Sequence, residues 1–532
     1  MSEHYPAAAG GQPAAGVLCR VVADTCAALR PRLSQPTGAG VEQISRRLSG
    51  PLQLAIAGRI KSGKSTVVNA LIGRRVAPTD IRECTRIVTR FSYGTVDRVE
   101  VVRTNGNRVT LPYDADGLVP SDIGVDPADV ALIDAYLTSA TLRDVTVIDT
   151  PGLGSLDAAS AARTRHLLGE TPANVTANAT ANATANGTAE PADGGLDAGS
   201  HSAIAQAEAV LFVLTQAARA DDVDTLSIFR AYTTPKASSP VNAIAVLNKA
   251  DQIVADDPLA AAAELAAAQA RTLHHRVSDV LPLVGLVAEA TETGLFTEAD
   301  ADTLRRIAAL DPGSRTLLFL STDLFLRPEI PVPVPARARL LERLDLFGIT
   351  QAIALLDADP GLSAGELRRR LVGSSGFPAV RAVVDTAFRR RADGIKANVA
   401  IAALESLAAA APYADRMHIS DALEELMQRP EAHQLRLLEV ASLVTSGTVA
   451  MPAELGTELA RLVVAADPAE QLGLPGQPPE ALAHAALDAA ARWRSFATFG
   501  STPAQSRVAH VVHRGYFLLW QQLQTGLNGG GR

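Results

Sequence analysis

Three cysteines, Cys19, Cys26 and Cys84, are all that this chain of 532 residues carries. None belongs to a C-x-x-C pair, and no His/Cys group has metal-ligand spacing, which excludes a structural zinc site and fits a reducing compartment. No run of about 18 apolar residues occurs, so no transmembrane helix is expected. The start, Met1-Ser2-Glu3-His4-Tyr5-Pro6, lacks a basic stretch followed by an apolar one, so no signal peptide is expected either. Positive charge is also short. The formal net charge is −8 and the sequence pI about 5.8. That balance argues against a nucleic-acid binder that relies on global charge. The length is too great for a single core, so two or more domains are expected.

What is present begins with Gly58-Arg59-Ile60-Lys61-Ser62-Gly63-Lys64-Ser65, the spacing G-x-x-x-x-G-K-S. An apolar run, Leu52 to Ala57, precedes it, and a helical pattern from Thr66 to Ile72 follows. Strand, Gly-bearing loop and helix start are the context of a phosphate-binding P-loop. Gly58 and Gly63 permit a backbone curl that aims N–H groups at phosphate oxygens. Lys64 supplies a point charge for the β- and γ-phosphates, and the Ser65 hydroxyl is a hard oxygen ligand for Mg²⁺. The expected phosphate cradle comprises Gly58, Lys61, Ser62, Gly63, Lys64, Ser65 and Thr66.

Two further motifs select the base. Val145 to Ile148 reads as a buried strand ending in Asp149-Thr150-Pro151-Gly152. An acid at the carboxyl end of a strand beside a P-loop is placed for a Mg²⁺ site, and the Gly152 N–H for sensing a γ-phosphate. Ala243 to Leu247 is another buried strand, followed by Asn248-Lys249-Ala250-Asp251. A carboxylate at Asp251 accepts from both N1–H and the N2 amine of guanine, a pair that adenine cannot offer. Asn248, Lys249 and Asp251 are thus the base-binding set, and the nucleotide is GTP or GDP. Between the first two motifs, Thr79, Thr85 and Thr89 compete for the role of switch threonine, whose hydroxyl reaches Mg²⁺. Thr85 is favoured because it ends a polar loop; Thr89 lies inside the strand-like run Ile87 to Phe91.

Leu153 follows Gly152, where Ras-like switches place a water-orienting Gln. The attacking water must therefore be held otherwise. Lys61 offers a cation inside the P-loop that can stabilise transition-state charge in cis; a solvated loop lysine is an equally good reading. Lys61, Lys64, Thr85 and Gly152 form the candidate catalytic set, and Ser65, Thr85 and Asp149 the candidate metal set.

Punctuation divides the chain. Residues 1–13 are Ala/Gly/Pro-rich and read as disordered; 14–49 carry helices interrupted at Pro31 and Pro36. Residues 50–365 are expected to form the GTPase domain, with strand and helix signals alternating from 50 to about 295 as a parallel α/β sheet requires. About 170–200 lies an Asn/Thr/Ala-rich insertion, Asn174 to Thr184 at its centre, that reads as disordered. Residues 366–526 are Ala/Leu/Arg-rich and helical, with a short tail at 527–532. Arg368–Arg370 and Arg389–Arg391 on those helices are read as solvated faces paired with acids, or alternatively as lipid-headgroup contacts. Leu443 to Met451 is either an apolar tip loop or interhelical packing.

An α/β P-loop GTPase domain with a mostly parallel sheet, joined to an all-α bundle built from N- and C-terminal segments, resembles the dynamin superfamily. More narrowly, the chain resembles the bacterial dynamin-like proteins of actinobacteria, the isoniazid-inducible type. The resemblance rests on Gly58 to Asn69, Ala77 to Asp80 with Thr85 to Thr89, and Ile148 to Gly152. It extends through Leu340 to Ile349, Ser375 to Arg381, Phe388, Arg391 and Gln471 to Pro475. It implies GTP hydrolysis with Mg²⁺, homodimerisation of heads or heterodimerisation with a related dynamin-like protein, and membrane binding or remodelling by the helical stalk. It further implies a cytoplasmic protein peripheral on the inner face of the cell membrane, with anionic lipid as partner. Two departures stand out. Lys61 replaces a catalytic serine, and Val284-Gly285 replaces the base-capping Ser-Ala signature, leaving a backbone N–H at Gly285 as the expected contact to the guanine oxygen.

Two other function classes compete. A ribosome-associated GTPase needs a basic RNA-binding module, and none is apparent. A nucleotide-binding partner subunit with weak hydrolysis, or a soluble regulatory GTPase, needs only the binding motifs.

Overall fold

The computed structural model describes residues 16–78, 87–150, 207–215 and 242–529, apart from 256, 274–275, 446, 466 and 500. Thr79, Thr85, Gly152, Leu153 and the Asn/Thr-rich insertion lie outside the described residues.

Among the described residues nine strands form one sheet: β1 (Leu52–Gly58), β2 (Thr89–Tyr93), β3 (Arg98–Arg103), β4 (Arg108–Leu111), β5 (Val130–Leu137), β6 (Val145–Asp149), β7 (Ala209–Leu214), β8 (Ala243–Asn248) and β9 (Val280–Leu283). Their spatial order is β4-β3-β5-β2-β6-β1-β7-β8-β9. From β6 to β9 every pairing is parallel; β2 with β6, β3 with β5, and β3 with β4 are antiparallel. The apolar runs at 52–57, 209–214 and 243–247 become central strands because both faces are covered. Leu52, Leu54 and Ile56 point into one core with Val67, Val68 and Phe91; Ala55 and Ala57 face the other with Phe212 and Val287. That alternation is the period of two that a pleated strand imposes.

Helices α1 (Val17–Leu29) and α2 (Gln35–Ser49) precede the sheet, with a 3₁₀ turn at Arg30–Arg32 where Pro31 interrupts the helix. In the head, α3 (Lys64–Ile72) follows β1, α4 (Pro258–Leu273) follows β8, and α5 (Gly285–Glu292) follows β9. Then come α6 (Glu298–Ala308), α7 (Pro312–Leu318), α8 (Thr322–Leu326), the long α9 (Val334–Ala358), α10 (Ala364–Ser374) and α11 (Phe377–Val383). A π-helical stretch, Val384–Arg389, leads out of the head.

The 366 boundary expected from composition falls inside the packing of the head. Leu367 and Leu371 join one core of the sheet; Phe377, Val380, Phe388 and Ile395 join the other. Composition changes to Ala/Leu/Arg at 366, but burial against the sheet continues to about 395 because these helices present apolar residues at helical spacing.

The bundle has two cores. The first joins α1 and α2 to α12 (Ala392–Ala410) and α13 (Tyr413–Gln428). The second gathers α14 (His433–Thr445), α15 (Ala453–Val464), the short α16 (Pro468–Leu472), α17 (Pro479–Thr498) and α18 (Pro503–Gly529) around Trp493 and Tyr516. Polar bonds tie α1 and α2 to the start of α12. Asp393 accepts from the Leu18 and Cys19 N–H groups (2.9 and 2.8 Å), and Lys396 Nζ donates to the Leu48 carbonyl (2.7 Å). Cys19 and Cys26 are free and buried, their thiols pushed up to about 12 and about 11 by burial.

Candidate nucleotide site

The predicted motifs meet at the carboxyl ends of β1, β6 and β8, which are close neighbours in the sheet. In a parallel sheet these ends converge on one crevice. Gly58 closes β1 at φ 151°, where a Cβ would stand 2.5 Å from the Val213 carbonyl oxygen. Gly63 takes φ 87°, and a Cβ there would stand 2.3 Å from Asn248 Nδ2. Both glycines are therefore demanded by backbone shape and by close approach. Lys61, between them, adopts φ 63° and is exposed at the rim of the loop. A non-glycine residue in the left-handed region is uncommon and marks local strain.

Lys64 is buried, and Nζ donates to the carbonyls of Gly58 (3.0 Å) and Arg59 (2.9 Å). Burial pulls its pKa down to about 8, opposed by the Asp149 charge. Ser65 Oγ donates to Asp149 Oδ2 at 3.1 Å. Burial pushes the Asp149 carboxyl up to about 6, against Lys64 and Ser65, which favour its charged form. Asp149 Oδ1 and Ser62 Oγ are buried without a hydrogen-bond partner. Such groups are costly unless something pairs with them. Two hard oxygens in contact and an orphaned carboxylate oxygen fit a Mg²⁺ ion. Thr66 is half-buried in the first turn of α3. Thr150 seats the start of the following segment on β1, its Oγ1 donating to the Ile56 carbonyl at 2.8 Å.

Asn248 ties the phosphate end to the base end. Its Nδ2 donates to the Ser62 carbonyl (2.8 Å), and its Oδ1 accepts from the Gly285 N–H (2.9 Å). Lys249 leaves β8 at φ 60°, turning the chain so that Asp251 follows within one 3₁₀ turn. Burial raises the Asp251 carboxyl, and the nearby charge of Asp345 raises it further.

Gly285, expected to contact a guanine oxygen, has its N–H engaged within the protein. Its N–H is taken by Asn248, and the Val284 N–H donates to the Ser375 carbonyl at 2.8 Å. Because α5 starts at Gly285, the N–H groups that a helix start leaves without intrahelical partners are those of Leu286 and Val287. Sequence reading missed the Asn248 bond to Gly285, which is visible only in three dimensions. It also missed Asp345, 94 residues further along the chain, which stands at φ 54° inside α9 and whose charge acts on Asp251. Thr89 is a sheet residue, opposite Asp149 in the β2–β6 register.

The remaining candidates separate from this site. Arg389 pairs with Asp144 and Asp385, and Arg390 with Asp385, while the two terminal nitrogens of Arg391 are buried. This run is therefore paired or buried at Arg389 and Arg391, while Arg390 remains exposed beside its partner. Arg368 and Arg369 are exposed, and Arg370 lies 3.5 Å from Asp359. Within 443–451, Val444, Val449 and Met451 pack on the second bundle core and Leu443 is about one-third exposed. Among the described residues no His/Cys/Asp/Glu cluster suits a metal, and no helix is long and apolar enough to cross a membrane.

Residues 54–250 match the Dynamin family. The isoniazid-induced protein IniC of Mycobacterium tuberculosis, in strains CDC 1551 and H37Rv, is 32% identical over 463 residues, 85% of this chain and 86% of IniC. The bacterial dynamin-like protein of Nostoc punctiforme is 29% identical over 123 residues, 20% of this chain and 18% of its own. A solved bacterial dynamin, described as part of an oligomerised pair that senses and tethers membranes, aligns over 96% of this chain and 78% of its own. Its TM-score is 0.30 at 14% identity, too low to carry weight here. The head, its three converging motifs and the near full-length match to IniC agree: the chain belongs to the dynamin family of large GTPases, with the bacterial members of the isoniazid-induced type.

Proposed function

We propose that this chain binds GTP with Mg²⁺ and hydrolyses it, coupling turnover to pairing of heads and to peripheral contact with anionic lipid. The observation that carries the reading is the Asn248 bridge between Ser62 of the P-loop and Gly285 of the base loop, with Ser65 on Asp149 at the other end. Lys64 exchanges its two backbone carbonyls for the β- and γ-phosphate oxygens as nucleotide enters. Asp251 takes the N1–H and N2 amine of guanine, and the first-turn N–H of Leu286 takes the guanine oxygen. Ser65 and Asp149 would hold Mg²⁺, with Thr85 joining them; bound there, the ion neutralises charge between the β- and γ-phosphates. Lys61, exposed at the rim of the P-loop, is the cation that meets charge developing at the bridging oxygen. The Gly152 N–H is the γ-phosphate sensor.

Lipid contact is assigned to the bundle. The α14–α15 connection and the α17–α18 turn lie side by side, linked by Gln505 Nε2 donating to the Ala450 carbonyl (2.6 Å). Phe499, about three-quarters exposed, is the apolar residue this end offers, with Arg494 and Arg507 exposed on the adjoining helices. GTP turnover measured with and without anionic vesicles tests the whole reading. Expected are measurable basal turnover, stimulation by anionic over neutral vesicles, and loss of that stimulation at high salt. GTP binding with no turnover in either condition points instead to a partner subunit that serves a related dynamin-like chain.

A further inference from the structure

Asn69 lies in the second turn of α3, five residues after Lys64, and is fully buried. Its side chain makes four hydrogen bonds. Oδ1 accepts from the backbone N–H groups of Val76 (3.0 Å) and Ala77 (2.8 Å). Nδ2 donates to the Ala77 carbonyl (2.9 Å) and to Glu289 Oε1 (2.7 Å). Two lone pairs and two N–H groups exhaust the capacity of a carboxamide, and only Asn at this length supplies both kinds. Glu289, also buried, lies one turn beyond Gly285 on α5, the helix whose first residue is held by Asn248. Apart from Asn69, the nearest counter-charge is Arg75, with Nε 3.9 Å away and itself buried without a partner. The carboxyl is pushed up to about 7, mainly by burial, so its hold on Asn69 is not that of a fully charged, well-paired acid.

This node joins three pieces of chain: the helix carrying Lys64 and Ser65, the helix that opens at the base loop, and the exit of the chain at Val76–Ala77. None of its members needs to touch nucleotide. We infer that Asn69 and Glu289 are positioning residues that hold the phosphate helix in register with the base-loop helix, so that the two halves of the nucleotide site act as one rigid unit. The inference rests on the GTP-hydrolysis reading above. The contacts to nucleotide belong to Lys64, Ser65, Asn248 and Asp251, so a disturbed node leaves binding groups in place. It shifts their mutual alignment, which the transition state senses more sharply than the ground state does.

The test uses the full chain and three variants: Asn69→Asp, Glu289→Gln and the double substitution. Asn69→Asp keeps the shape, removes both donors and sets a second carboxylate against Glu289. Expected is a fall in kcat of about 10-fold or more, with KM and GDP affinity changed less than about 3-fold. Glu289→Gln retains an amide oxygen to accept from Asn69 and is expected to keep kcat within about 2-fold. In the double variant the like-charge contact is gone and part of the lost kcat returns, a coupling that a double-mutant cycle reads directly. A purely structural cap at the end of α3 would instead lower the melting temperature and leave kcat and KM of the folded fraction unchanged. That result, or independence of the two substitutions, overturns the inference while the hydrolysis reading stands. Absence of turnover in the unmodified chain overturns both.

Discussion

The nucleotide site and the bundle solve burial in opposite ways. Around the site, burial takes in many polar side chains held by specific bonds: Lys64 to two carbonyls, Asn248 to two loops, Asn69 to three backbone groups and a carboxylate. The backbone turns sharply there as well, with Gly58 and Gly63 at positive φ and the non-glycine residues Lys61 and Lys249 held in the left-handed region. In the second core of the bundle, burial is by Ala486, Ala489, Ala490, Trp493, Val512 and Tyr516, residues whose contribution is area and shape. A bonded polar site tolerates few residue types at each position. A packed apolar core tolerates many, provided volume is kept. The nucleotide chemistry is therefore written residue by residue in the head.

Single substitutions sharpen that contrast. Lys64→Ala removes the phosphate cation while deleting little packing. GTP affinity is expected to fall about 10- to 100-fold by calorimetry, with a melting temperature close to that of the unmodified chain. Trp493→Ala in the bundle should do the reverse. Removing a fully buried indole is expected to cost about 3–5 kcal/mol of stability in the cooperative unit that contains it, with GTP affinity of the folded protein unchanged. If Trp493→Ala weakens nucleotide binding as much as Lys64→Ala does, the separation of roles fails.

A subtler effect lies in base choice. Asp251→Asn exchanges an acceptor for a donor opposite the exocyclic group of the purine. Xanthine carries a carbonyl where guanine carries an amine, so preference for GTP over XTP is expected to fall by at least about 100-fold. Competition binding reads this directly, and an unchanged ratio removes Asp251 from the base site.

The same contrast explains what was legible in the sequence. The strands at 52–57, 145–148 and 243–247 could be read because central parallel strands are unbroken apolar runs bounded by motif residues. Gly58, Lys64, Ser65, Asp149, Asn248 and Asp251 could be read because phosphate, metal and guanine chemistry fixes their type and spacing. The Asn248 bond that occupies the Gly285 N–H could not be read, since it joins positions 37 apart in the chain. The end of the head was placed too early. Leu367, Leu371, Phe377 and Phe388 follow helical periodicity whether they pack on a sheet or on other helices, and periodicity does not name the partner. Asn69 and Glu289 belong to no spacing rule at all; only folding brings them to 2.7 Å.

The smallest expected effect separates the two regions by sign. In the bundle, His433 is 4% exposed, with Nε2 3.0 Å from the Val511 carbonyl and Nδ1 buried without a partner. The contact with a carbonyl makes Nε2 the protonated nitrogen, so taking a second proton would strand a charge at Nδ1. Burial, aided by the charges of Arg514 and Arg436 and opposed by the Val511 bond, pulls its pKa down to about 4. The unfolded chain accepts that proton near 6.5, so the contribution of His433 to stability is lost as pH falls from 6.5 to about 4. Glu289 in the head runs the other way. Its carboxyl ionises at about 4.5 when unfolded and about 7 when folded, so its contribution is full below 4.5 and is lost as pH rises to about 7. Between pH 4.5 and 6.5, acidification therefore favours the head through Glu289 and disfavours the bundle through His433. Calorimetry of the full chain with His433→Gln and with Glu289→Gln, compared at pH 5 and pH 6.5, isolates each contribution as a difference from the unmodified protein. His433→Gln should flatten the loss on acidification, and Glu289→Gln should flatten the loss on raising pH. Differences of the same sign would mean that one of these buried groups gains a partner in the folded protein, and the contrast between a bonded head and a packed bundle would have to be redrawn around that residue.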